Sequence, residues 1–154
     1  MKFAFLGSAC AAVALFLTAC ETTQMAQSEP APATLPANLQ IAAPSDDVPD
    51  DVAAFAGVWE GDWGGDLEGK LAVRRVTADG DATAVYAWGD GSGGLEAGRT
   101  VVDGQIQDGT LVLEEFPSGA QAVYDMQDDG TLEGTYTNAE GRPTRGLFFK
   151  RGDI

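Results

Sequence analysis

From Asp51 onward the chain alternates apolar and polar residues in short runs broken by Gly and Asp. A two-residue period places successive side chains on opposite faces of an extended strand, so each run reads as a half-buried strand. The runs are Phe55 to Trp63, Lys70 to Ala78, Asp81 to Gly89, Arg99 to Gln107, Thr110 to Phe116, Ala120 to Gln127, Thr131 to Thr137 and Thr144 to Lys150. Eight strands at a spacing of roughly 10 to 12 residues predict an all-β domain, an antiparallel barrel or sandwich. Asp79-Gly80, Asp108-Gly109 and Asp129-Gly130 fall between runs and suit type I′ hairpins, which need positive φ at both central residues. Asp103-Gly104 falls inside a run, where a bulge or an extra turn is expected. No run carries a helical period.

Parity assigns the faces. Gly57, Trp59, Gly61 and Trp63 share one side of the first strand and Glu60 and Asp62 the other, so both tryptophans are expected to point inward. Leu71 and Val73, Leu111 and Leu113, Ala122, Tyr124 and Met126, then Leu132, Gly134 and Tyr136 follow the same logic. The third strand is apolar on both sides: Tyr86 and Trp88 compete with Val85 and Ala87. Such a strand is covered on both faces or lies under a loop.

The N-terminal pattern is different. Met1-Lys2 supplies a positive start, Phe3 to Leu17 is an apolar run, and the run closes on Leu17-Thr18-Ala19-Cys20. A membrane-spanning helix needs about 20 apolar residues. This run is shorter and ends in small residues, so residues 1–19 read as a cleaved export signal. The closing motif resembles the lipobox of bacterial lipoproteins. The resemblance implies cleavage before Cys20, acylation of Cys20, and attachment of the protein to a membrane of the cell envelope by that lipid. In Gram-negative lipoproteins an aspartate after the cysteine commonly retains the protein at the inner membrane; Glu21 stands here instead, which implies the outer membrane.

Residues 20–50 are rich in Ala, Pro, Thr and Gln, with too few bulky apolar residues to offset the entropy of ordering them. They are expected to form a flexible tether, leaving 51–154 as the barrel domain. The whole chain of 154 residues carries 24 acidic and 9 basic residues, a formal charge of −15. That field repels phosphate backbones, so nucleic acid is excluded as a partner. Histidine is absent, which removes Ser-His and Cys-His nucleophiles and the usual zinc and haem ligand sets. Cys10 falls within the signal and Cys20 is the acylation site, so no disulfide is expected. The Asp-Gly clusters lack the spacing of a calcium loop. No metal, cofactor or catalytic residue is expected.

Gly57-x-Trp59 on the first strand, an eight-strand meander and a basic residue on the last strand together resemble the calycin superfamily, which includes lipocalins and avidin-like proteins. Asp129-Gly130-Thr131-Leu132-Glu133-Gly134-Thr135-Tyr136 is similar to an avidin-type hairpin. In those families the tryptophan packs at one end of the barrel beneath a basic side chain of the final strand. Arg145, which shares parity with Leu147 and Phe149, matches that position, so Gly57, Trp59 and Arg145 are expected to be structural. Trp63, Tyr86, Trp88 and Tyr124 are the candidates to line a ligand pocket. The expected function is a lipid-anchored binding module that holds a small apolar ligand or an envelope component. The alternative is an interaction or inhibitor lipoprotein whose acidic surface grips a basic envelope protein. Ser118-Gly119-Ala120 resembles the Ser-Gly-Ala loop of the membrane-bound lysozyme inhibitors, which are small β-barrel lipoproteins.

Overall fold

The period-two runs become eight antiparallel strands: β1 (Gly57–Trp63), β2 (Leu67–Val76), β3 (Asp81–Trp88), β4 (Gly98–Gln107), β5 (Thr110–Leu113), β6 (Gln121–Met126), β7 (Leu132–Thr137) and β8 (Pro143–Lys150). The computed structural model describes residues 29–152, so Cys20 and the expected signal lie outside the described residues. Each strand pairs with the next, and β8 returns to pair with β1, so the sheet closes into a barrel rather than splitting into a sandwich. Closure leaves no strand edge open to pairing with another chain.

The turns only partly follow their expected chemistry. Asp108 (φ 52°) and Gly109 (φ 77°) both adopt positive φ, as a type I′ hairpin requires. At Asp79-Gly80 and Asp129-Gly130 only the glycine does, with φ 84° at Gly80 and 81° at Gly130. In each of these loops one further residue, Ala78 or Asp128, lengthens the connection, and Gly80 N–H donates to the Thr77 carbonyl as Gly130 N–H does to that of Gln127. This is the three-residue hairpin, a type I turn closed by a left-handed glycine. No bulge forms at Asp103-Gly104, where β4 keeps an unbroken register against β3. The register shifts instead in β2, between Val73 and Arg75.

The barrel has one plugged end and one open end. At the plugged end a single helical turn, α1 (Asp50–Ala53), brings Val52 into the core together with Val48 and Phe55. The opposite end carries the longer β3–β4 and β5–β6 connections and opens into the interior.

Residues 29–50, expected to hang free, lie against the barrel as a strap. Ala31 and Asp90 clasp each other, the Ala31 N–H donating to Asp90 Oδ2 (2.8 Å) and the Asp90 N–H to the Ala31 carbonyl (2.8 Å). Ala33 N–H donates to Glu68 Oε2 (3.1 Å). At the far end Ala42 N–H donates to the Arg74 carbonyl (2.8 Å), and the Arg74 guanidinium reaches back to the Gln40 carbonyl. The physical reason lies on the barrel's outside: Ala72, Val85 and Ala87 point outward between these anchor points, yet none is more than 2% exposed. The strap covers the second face of β3, which leaves Tyr86 and Trp88 as the inward pair.

Candidate functional site

The plugged end is built around Trp59. Its alternation with Gly57 sends the indole inward, where it is 1% exposed and donates its ring N–H to the Phe55 carbonyl at 2.9 Å. The basic group over the ring is Lys150, not Arg145. Lys150 Nζ lies 5.2 Å from the ring centroid and donates to the Ala54 carbonyl at 2.8 Å. Gly57 sits at φ 133°, and a Cβ there would come within 2.9 Å of Lys150 Cε, so glycine clears the path of the lysine stem. Arg145 is exposed on the outer surface and pairs with Glu133. The parity read from Leu147 and Phe149 is thus inverted: these two are exposed, while Phe148 is fully buried and shares its face with Lys150. A one-residue difference in face reverses every side chain of a strand.

The open end holds the candidate site, an apolar cavity of about 600 Å³. Trp63 is its floor. The edge of the indole passes over Gly134 and Gly146, and its ring nitrogen faces Gly69, positions where a Cβ would approach the ring to between 2.7 and 2.9 Å. Three glycines on three strands therefore let one large ring lie across the barrel. Phe148 packs beneath it, with ring centroids 4.9 Å apart. The Trp63 ring N–H is buried, and among the described residues no acceptor meets it with good hydrogen-bond geometry, the Tyr86 phenol being near enough to interact with it.

Above the floor the rings form a circuit. Trp63 and Tyr86 are 6.5 Å apart, Tyr86 and Phe116 5.2 Å, Phe116 and Tyr136 6.3 Å, and Tyr136 and Trp63 5.9 Å. Trp88 stacks on Tyr86 at 5.6 Å and extends the aromatic wall toward the rim. Its ring N–H donates to the Glu96 carbonyl at 2.9 Å, which ties the β3–β4 connection over the mouth. Burial pushes the Tyr86 phenol far above its ordinary pKa, which keeps it neutral. Among the described residues, Asp66 is the one formally charged residue in the lining.

Of the candidates read from the sequence, Trp63, Tyr86 and Trp88 meet in this cavity. Tyr124 does not line it: the ring is fully buried under Trp63 and Phe148, at 5.8 and 5.4 Å, and its hydroxyl has no hydrogen-bond partner among the described residues. Burial raises its pKa well above the ordinary value. Parity alone gives a direction but not a depth, and Tyr124 lies too deep in the barrel. Sequence reading missed Phe116 and Tyr136 as lining residues. Tyr136 was legible as an inward residue of the seventh strand, next to the rim. Phe116 was not, because it lies beyond the end of β5 and reaches the interior through the turn at Pro117–Gly119.

Among the described residues no group of His, Cys, Asp and Glu is placed to hold a metal ion. No protein-family model matches this chain, and no curated protein matches it in sequence.

Proposed function

We propose that this protein is a non-catalytic binding module of the cell envelope, anchored by an acylated Cys20, that holds a small, largely apolar ligand in the open end of a calycin-like barrel. What carries this is the cavity. At about 600 Å³ it falls in the size range of small-molecule sites, and aromatic and aliphatic side chains line it together with the hydroxyls of Ser92, Thr100, Ser118 and Thr144. The interior is filled at the plugged end and left open at the other, as expected of a barrel that binds rather than one that is only packed.

The strap relates the anchor to the mouth. It meets the barrel at Asp90, on the open end, and the chain from Cys20 to Ala31 spans at most about 40 Å when fully extended. A lipid at Cys20 would therefore hold the mouth near the bilayer, where apolar ligands partition. Cys20→Ala should release the protein from membranes washed in high salt.

The cavity is tested by titrating the purified protein with the uncharged apolar probe N-phenylnaphthylamine. Saturable fluorescence enhancement, weakened at least tenfold by Trp88→Ala while the unfolding midpoint stays within a few degrees, is the expected result. No enhancement with the folded parent would overturn the proposal.

A further inference from the structure

The binding-module function leaves the chemical class of the ligand open, and the lining of the cavity narrows it. The circuit of Trp63, Tyr86, Phe116 and Tyr136 closes on itself through centroid distances between 5.2 and 6.5 Å. Aromatic faces are negative, and a cation within about 6 Å of a ring centroid is attracted to them. Among the described residues no Lys or Arg side chain lines the cavity, so a bound carboxylate or phosphate would meet no counter-charge from them. Asp66, exposed in the β1–β2 turn, adds a carboxylate at the rim. The whole chain, at −15, draws cations toward every opening.

We infer that the cavity selects compact organic cations of the quaternary ammonium class over neutral or anionic molecules of the same shape. A quaternary ammonium suits these walls because its charge is spread over methyl groups. It loses little hydration on entering, and ring faces can hold it without any hydrogen bond being donated to the wall. This rests on the binding-module function proposed above, and the two fail in different ways.

The test uses three molecules of similar size: benzyltrimethylammonium, its neutral carbon isostere neopentylbenzene, and the anion phenylacetate. Each is titrated into the folded protein by calorimetry. The cation is expected to bind about 3- to 30-fold tighter than the isostere, the range that desolvated cation–π contact supports, with phenylacetate weakest. Phe116→Leu keeps the wall apolar but opens the circuit, and should reduce the cation-to-isostere ratio several-fold. Asp66→Asn, at an exposed position, should reduce it about twofold without disturbing the fold.

Equal binding of cation and isostere would overturn the inferred class while leaving a general apolar pocket. Tighter binding of phenylacetate would do the same. If none of the three binds and N-phenylnaphthylamine also fails, the binding-module function falls with it. A preference that survives both substitutions and vanishes in high salt would assign it to the net charge of the molecule and overturn the assignment to this site.

Discussion

Lys150 and Arg145 differ by five positions on one strand, and the difference separates a residue that organises the plugged end from one that decorates the surface. Lys150 places its charge over Trp59 and donates to the Ala54 carbonyl, so Lys150→Ala removes a cation–π contact and a hydrogen bond together. Both are partly exposed, and the expected loss is about 1 kcal/mol. Arg145→Ala breaks only a surface ion pair with Glu133 and should stay within about 0.5 kcal/mol of the parent. Trp59→Ala should cost about 3 to 5 kcal/mol, as truncation of a large buried ring does. Urea unfolding of the three variants checks the order. Equal losses for Lys150→Ala and Arg145→Ala would contradict the assignment. The first strand was readable because Gly57, Trp59, Gly61 and Trp63 alternate without competition. The last was misread because Leu147, Phe148 and Phe149 are all apolar, and three adjacent apolar residues give parity nothing to choose between.

The strap is the element that composition concealed. Its Ala- and Pro-rich sequence lacks bulk, but it packs against equally small outward residues, Ala72, Val85 and Ala87, and its backbone supplies the hydrogen bonds. Removing residues 29–49 would uncover these side chains and also delete Val48 from the core, so the truncated domain is expected to melt more than about 5 °C below the longer chain. A midpoint unchanged by truncation would mean the strap contributes nothing. Asp90 is the pin at the open end. The backbone N–H of Ala31 and then that of Ala97 hold its carboxyl below the usual value of 3.8. A depressed folded pKa stabilises fully above the unfolded value, and the contribution is lost as pH falls through the folded one. The strap should therefore loosen in acid below about pH 4, and Asp90→Ala should reproduce that loosening at neutral pH. Acid-stable pepsin probes the first and a neutral protease the second, each cutting residues 29–48 while the barrel remains folded. Simultaneous cleavage of strap and barrel would remove the distinction between them.

At the scale of the whole molecule, the barrel was legible because most strands repeat the same two-residue period and hairpin chemistry falls between several of them. The cavity was not, because its volume depends on how far each inward ring reaches across the barrel, which alternation does not encode. The acidic composition has its consequence at this scale as well. With 24 acidic residues against 9 basic, the folded surface repels itself, and compaction costs more when the field is unscreened. Against this stand a few partly exposed ion pairs, Lys70 between Glu60 (3.4 Å) and Glu68 (3.3 Å) and Arg151 with Glu60 (3.1 Å). Surface pairs of this kind contribute roughly 0 to 1 kcal/mol each and weaken with salt. The two effects have opposite signs in salt, and the excess of negative charge decides between them. The thermal midpoint should rise as sodium chloride goes from about 10 mM to about 200 mM, where the screening length falls below about 10 Å, and then level off. Calorimetric scans of residues 29–152 across that range test it. A midpoint that falls with salt would mean that the ion pairs outweigh the net repulsion, and would shift the account of this surface from excess charge to the particular partners of Glu60.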